Sequence, residues 1–209
     1  LKSGARTIVV VSHNGRRENF FKGKKTSVGV VSDGECHSEY SLRPVARRLT
    51  EILREKRLLS DEREVLMTDD CIGEEAKSMI QDDGVFLLEN VMFRSGETSE
   101  DDNEVMAFAR ELHDTTHCDF YVNADPVTAH MGQHASLGQI TRLIPGPKVA
   151  GFLLTQELTA LENFMRNPHK PVTAIIGGAK VSAKVEAMGN LIVHGKIDRL
   201  IIIGGIAFP

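Results

Sequence analysis

Cysteine is scarce in this sequence: Cys36, Cys71 and Cys118 are the three among 209 residues. An odd number at wide spacing gives no disulfide framework and points to reduced thiols in an intracellular, cytoplasmic setting. No apolar run approaches the roughly 18 residues needed to span a bilayer, so no membrane partner is expected. Neither sign of charge dominates, since 25 basic residues stand against 29 acidic ones for a net charge of −4. That balance supplies no global attraction to nucleic acid. Internal repeats and low-complexity tracts are absent. The chain opens on Leu1 without an initiator Met or a signal-peptide pattern, and it closes on Pro209 directly after a strand pattern. Both ends read as cut.

What is present is an α/β pattern. Thr7-Ile8-Val9-Val10-Val11 is a continuous β-branched run, the mark of a strand buried on both faces of a parallel sheet. Val85-Phe86-Leu87-Leu88, Asp119-Phe120-Tyr121-Val122, Ala174-Ile175-Ile176 and Leu200-Ile201-Ile202-Ile203 read the same way, with Val65-Leu66-Met67 a weaker strand. Helical patterns lie between them. One runs from Pro44 to about residue 56, with Val45, Leu49, Ile52 and Leu53 on its apolar face. Others cover residues 104–113, 155–166 and 181–193. Strands alternating with helices predict crossover units and a mostly parallel sheet. Residues 14–39 read as a long basic surface loop. A boundary falls near residues 155–171, where Pro171 holds Lys170 extended. Beyond it, strand–helix–strand is too little to close a core alone.

Chemistry concentrates in three places. Ile176-Gly177-Gly178-Ala179-Lys180-Val181-Ser182-Ala183-Lys184 runs from a strand through two glycines into a helix start. Glycine admits close backbone approach, a helix N-terminus offers free N–H groups, and lysines at i and i+4 share a face. Phosphate binding and a plain tight turn with solvated lysines are both open on this segment alone. It is not a P-loop, because the G-x-x-x-x-G-K-[ST] spacing is absent. Ser12-His13-Asn14-Gly15-Arg16-Arg17 repeats the pattern of a polar, basic loop at a strand end, where parallel sheets bind ligands. His130 with His134, and His113 with His117, have H-x3-H spacing, but neither pair has a convincing further ligand, so no metal site is assigned. Cys71 reads as structural.

Taken in order, these segments resemble the phosphoglycerate kinase family. Ser12-His13-Asn14-Gly15-Arg16 resembles S-H-x-G-R-P, and Tyr40-Ser41-Leu42-Arg43-Pro44-Val45 resembles Y-S-L-x-P-V. Asp70-Cys71-Ile72-Gly73 is similar to D-C-V-G, and Leu87-Leu88-Glu89-Asn90-Val91-Met92-Phe93 to L-L-E-N-x-R-F. Tyr121-Val122-Asn123, Thr128-Ala129-His130 and His134-Ala135-Ser136 follow Y-V-N-D-A-F-G-T-A-H-R-A-H-A-S. Gly151-Phe152-Leu153-Leu154 with Glu157-Leu158 resembles the helix that joins the family's lobes. Gly177-Gly178-Ala179-Lys180-Val181-Ser182 with Lys184 is close to G-G-A-K-V-S-D-K, and Gly204-Gly205-Ile206-Ala207-Phe208 to G-G-G-M-A-F.

The resemblance implies a parallel-sheet, three-layer N-terminal lobe plus the first part of a second, Rossmann-like lobe. Residues 1–150 would be the acid-substrate lobe without its first strand, 151–170 the interlobe helix and hinge, and 171–209 the start of a nucleotide lobe. It implies phosphoryl transfer in glycolysis between 1,3-bisphosphoglycerate or 3-phosphoglycerate and ADP or ATP, with magnesium as cofactor and its ligand outside this chain. Under that reading His13, Arg16 and Lys170 contact the acid, and Lys180 is catalytic, stabilising the transferring phosphoryl group. Gly177, Gly178, Lys184, Gly204 and Gly205 serve the nucleotide.

Departures from the family pattern point to impaired catalysis. N-D-A-F-G is replaced by Asn123-Ala124-Asp125-Pro126-Val127, and the arginine of H-R-A-H by Met131-Gly132-Gln133, one residue longer. Met92 replaces the arginine of E-N-x-R-F, Arg17 a proline, and Ala183 an aspartate. Lys170 stands where arginine is expected and loses its bidentate fork. Charge-assisted hydrogen bonds contribute roughly 1.5–3 kcal/mol each. Losing the arginine at 131 and part of the contact at 170 removes about 2–5 kcal/mol, roughly ten- to several-thousand-fold in rate. The alternative is a non-catalytic structural or assembly protein derived from the same fold, with protein partners. A third reading is an unrelated nucleotide-binding α/β protein.

Overall fold

The computed structural model describes residues 4–15, 34, 38–81, 83–178 and 189–207. Its backbone separates into two compact units, Leu1–Ala150 and Gly151–Pro209.

The first unit is built on three parallel strands, β1 (Thr7–Val10), β2 (Leu66–Met67) and β3 (Gly84–Leu87), in the order β1-β3-β2. Val9 lies opposite Phe86, and Met67 opposite Leu87. The central strand explains the layering. Side chains alternate across a strand, so Phe86 and Leu88 enter one core and Val85 and Leu87 another. Phe86 and Leu88 pack with Val105, Phe108 and Leu112 of α3 (Asp102–Thr116) and with Ile140 and Ile144. Val85 and Leu87 pack with Leu42, Val65 and Ala46 of α1 (Arg43–Glu55). Helices therefore cover both faces of β3, as the three-layer expectation requires. Two elements escape the sequence pattern: α2 (Glu74–Met79), and β5 (Lys148–Ala150), which pairs in parallel with β4 (Tyr121–Asn123).

Helix α1 begins with Pro44 in its first turn, as expected. Its buried face keeps Leu49 and Leu53 of the expected one but is rotated: Ala46 and Thr50 are buried, while Val45 and Ile52 are exposed. Thr50 makes this possible. Its hydroxyl donates to the Ala46 carbonyl (3.0 Å) and accepts from the Val65 N–H (3.0 Å). A satisfied hydroxyl thus occupies a core position that pattern reading reserves for apolar side chains. Helix α3 is longer than the sequence suggests. The Asp101 carboxylate accepts from the Asn103 N–H (2.8 Å), and His117 closes the helix in a left-handed conformation at φ 45°.

The second unit holds α4 (Phe152–Arg166) and two parallel strands, β6 (Thr173–Gly177) and β7 (Arg199–Ile203). Residues 189–193 are helical, and 181–188 of the expected helix lie outside the described residues. The expectation of strands buried on both faces fails here, as it does at β1 and β4, where Ile8 and Val122 are exposed. Ile175 is 65% exposed and Ile203 51%, and Leu154 is the one buried hydrophobic side chain among the unit's described residues. Two strands cannot supply both faces with covering layers. Among the described residues, no helix is long and apolar enough to cross a membrane.

Candidate functional site

Parallel strands deliver their following loops to one edge of a sheet, which is where α/β folds bind ligands. In the first unit the loops after β1, β3 and β4 surround a cavity of about 710 Å³. Ser12 and His13 come from the first loop, Met92, Glu97 and Thr98 from the second, and Asp125, Thr128, Met131, His134 and Ser136 from the third. Val11, Val91, Val127 and Leu137 complete the lining.

Glu97 is the chemical surprise. It is 1% exposed, yet carries a carboxyl group. Its two oxygens accept from the Ser136 N–H (3.0 Å) and the Ser136 hydroxyl (2.7 Å). His134 Nδ1 stands 3.7 Å from Oε1. Burial pushes the Glu97 carboxyl up to about 7, against the lowering effect of the Ser136 hydrogen bonds. Tyr121, whose hydroxyl donates to the Ser136 carbonyl (3.1 Å), is pushed up to about 12 by its own burial and by Glu97. His134 is held below the usual histidine range, first by burial and then by His13 and His130. Asp125 is held low mainly by the Thr128 hydroxyl (2.6 Å). Its other oxygen accepts from the Val127 N–H (2.8 Å), so both oxygens brace their own loop.

The structure brings His13 to this cavity, and with it Met92 and Met131, the two positions where the family pattern has arginine. Arg16 lies outside the described residues. The extra residue between the histidines is absorbed by consecutive turns, Met131 N–H to Thr128 O (2.8 Å) and His134 N–H to Met131 O (3.0 Å). A π-helical turn, Ala135–Gln139, follows. Gly132 then packs so tightly on Gly138 that a Cβ at 138 would lie 1.6 Å from the Gly132 carbonyl oxygen. Gly138→Ala should therefore force the loop apart and cost about 1–3 kcal/mol, the usual range for overpacking. Chemical denaturation of the variant checks this, and Gly132→Ala, facing open space, is its control.

In the second unit, β6 ends at Gly177-Gly178 and β7 runs into the 3-10 turn Gly204–Ala207. The Ile206 N–H donates to the Gly178 carbonyl (3.1 Å), which joins the two glycine pairs at one end of the strands. Gly204 has φ 71°, and a Cβ there would sit 3.2 Å from the Gly178 nitrogen. The four expected nucleotide-side glycines thus share one edge. Lys180 and Lys184 lie outside the described residues. Lys170 is paired within its own unit. Its ammonium pairs with Asp198 (2.9 Å) and donates to the Gly195 carbonyl (3.1 Å), and the Val172 N–H and Lys170 together hold Asp198 below the usual carboxylate range.

These features define an α/β protein of parallel strands, with a cavity at the strand ends of the first unit and a glycine-rich edge at those of the second. The family model described as phosphoglycerate kinase matches residues 1–209. The phosphoglycerate kinase of Citrifermentans bemidjiense is 41% identical over 178 residues, covering 84% of this chain and 40% of that protein. That of Geobacter metallireducens is 36% identical over 211 aligned positions, covering all of this chain and 44% of that protein. Among solved structures, phosphoglycerate kinase from Coxiella burnetii matches with TM-score 0.65 at 30% identity, over 99% of this chain and 43% of the other. The Pyrococcus horikoshii phosphoglycerate kinase matches in fold, with TM-score 0.70 at 24% identity, over 99% of this chain and 45% of the other. The chain belongs to the phosphoglycerate kinase family. It spans about two fifths of the length of the curated relatives it matches.

Proposed function

We propose that the cavity of the first unit is a 3-phosphoglycerate site whose basic cradle is depleted. In this reading residues 1–150 form the acid-substrate lobe, 151–170 the hinge, and 171–209 the start of the nucleotide lobe. The reaction is phosphoryl transfer between the acyl phosphate of 1,3-bisphosphoglycerate and ADP, or its reverse, and this chain supports it weakly or not at all. The observation that carries the reading is the lining: His13 stands at the strand end, and methionines at 92 and 131 line the cavity where the family pattern has arginines. A phosphate or carboxylate is held best by a bidentate guanidinium, and a thioether offers no such donor.

His13 and Arg16 attract the acid, and Lys170 adds charge only when it leaves Asp198. Lys180 neutralises charge on the moving phosphoryl group, while Lys184 and the glycines at 177, 178, 204 and 205 cradle the nucleotide. The glycine edge fits this role, because its backbone lacks side chains where phosphates would approach. Magnesium, carried with the nucleotide, would neutralise phosphate oxygens, and no residue of this chain is assigned to it. The methionines at 92 and 131 suit a second reading equally, a fold retained for assembly with other proteins. A cytoplasmic address is part of the proposal, supported by free thiols at Cys71 and Cys118.

Calorimetric titration of the chain with 3-phosphoglycerate tests the depleted cradle. Dissociation constants in the millimolar range are expected. Micromolar binding would overturn the reading.

A further inference from the structure

Asn90 follows Glu89 at the exit of β3 and is completely buried. Its side chain is used at both ends. Oδ1 accepts from the Met92 N–H (3.0 Å), while Nδ2 donates to the carbonyls of Asn14 (2.8 Å) and Tyr40 (3.0 Å). Two carbonyls demand donors and one N–H demands an acceptor, so the partners themselves fix the amide orientation. A carboxylate offers no donor, and a hydroxyl has only one.

The two carbonyls come from the ends of one excursion of the chain. Asn14 follows His13 as the chain leaves β1, and Tyr40 precedes the entry to α1, so one amide NH2 group ties together the two residues that flank 15–39. Its neighbour strengthens the junction. The Glu89 carboxylate accepts from the Ser41 hydroxyl (2.6 Å), the Leu42 N–H (2.9 Å) and the Asn90 N–H (2.8 Å). The Val91 N–H reaches the Ser12 carbonyl (3.4 Å). Three chain segments distant in sequence thus meet at one dipeptide, and two of them carry cavity residues, His13 and Met92.

We propose that Asn90 is the positioning residue of the acid site: by tying Asn14 to Tyr40, it sets where His13 stands in the cavity. The inference rests on the cavity being the acid-substrate site, but the placement of His13 is testable without any ligand. Closing a long excursion costs conformational entropy, and the Asn90 amide supplies a tie that holds Asn14, and with it the adjoining His13, in one place.

Histidine-labelled chain, observed by NMR, gives the test. Asn90→Asp preserves the size and the acceptor for Met92 while removing both donors and setting an oxygen against two carbonyls. The His13 ring resonances should shift and broaden, whereas those of His117, at the end of α3 in the same unit, should stay in place. In the same variant, the dissociation constant for 3-phosphoglycerate read from the cavity histidines should rise at least fivefold. If Asn90→Asp does not fold, Asn90→Ser, which is smaller and uncharged, should show the same selective loss at His13. An unchanged His13 signal in a folded variant would overturn the proposal, and so would His13 and His117 moving together. If 3-phosphoglycerate perturbs neither His13 nor His134 in the unsubstituted chain, the site reading fails. The ligand-free His13 signal still decides the role of Asn90.

Discussion

Replacing Met131 with arginine while deleting Gly132 should tighten 3-phosphoglycerate binding by roughly 10- to 150-fold, the equivalent of one charge-assisted hydrogen bond of about 1.5–3 kcal/mol. Both changes are needed. Met131 lines the cavity and is partly exposed, so a guanidinium there remains in contact with water and avoids the penalty of a buried charge. Position 131 already follows the first histidine, where the family pattern has arginine, and deleting Gly132 returns the second histidine to the spacing of that pattern. Met131→Lys with the same deletion should recover less, because an ammonium restores the charge without the bidentate fork. Calorimetry across the three proteins gives the ranking directly. Equal affinity for all three would remove position 131 from anion recognition.

Glu97→Gln should make the chain more stable above pH 7 and flatten its stability profile between pH 4.5 and 7. The sign follows from proton binding. Burial raises the native carboxyl from 4.5 to about 7, so the native state holds a proton that the unfolded state has already released. Stability is then highest below the unfolded value and falls as pH rises through the native one, by about 3 kcal/mol in all at about 1.4 kcal/mol per tenfold in the proton equilibrium. Glutamine keeps the geometry. Its oxygen accepts from the Ser136 N–H, and its amide donates to the Ser136 hydroxyl, which can act as acceptor as well as donor. His134 titrates in the opposite sense. Its lowered native value means that stability is lost as pH falls below its ordinary range, so the difference between the two proteins, not either curve alone, isolates Glu97. Urea midpoints from pH 5 to pH 8 supply that difference. Parallel curves would show that Glu97 is ionised throughout.

Local chemistry decides what the sequence reveals. The β-branched runs at 7–11 and 200–203 mark strands because backbone preference and side-chain shape agree there. Such runs do not reveal how many layers cover them: β3 is buried on both faces, and β7 is not. The strand Lys148–Ala150 is too short for a periodic signal, and Tyr121, Val122 and Asn123 across the ladder define it. Thr50 reads as polar surface until its bonds to Ala46 and Val65 are seen. Among candidate site residues, the placement of His13 and of the glycines at 177, 178, 204 and 205 at strand ends is legible, because each closely follows a β-branched run. Glu97 is silent in sequence. Its role is created by Ser136, 39 residues away, and no local pattern encodes such a pairing. Asn90 is intermediate. The motif L-L-E-N displays it, but only the carbonyls of Asn14 and Tyr40 say what it holds.

The isoleucine ladder of the second unit has a consequence for the colloidal behaviour of the chain. Ile175 pairs with Ile201 and Ile176 with Ile202, and three of these four side chains are more than 40% exposed. Among the described residues, β6 and β7 form a two-stranded sheet, so each strand presents one unpaired edge. A short, β-branched strand with an open edge is a template for adding further strands from other molecules. Neighbouring Arg199 supplies the nearest like-charge repulsion against such stacking. Association through this ladder should therefore rise with protein concentration and with salt that screens Arg199.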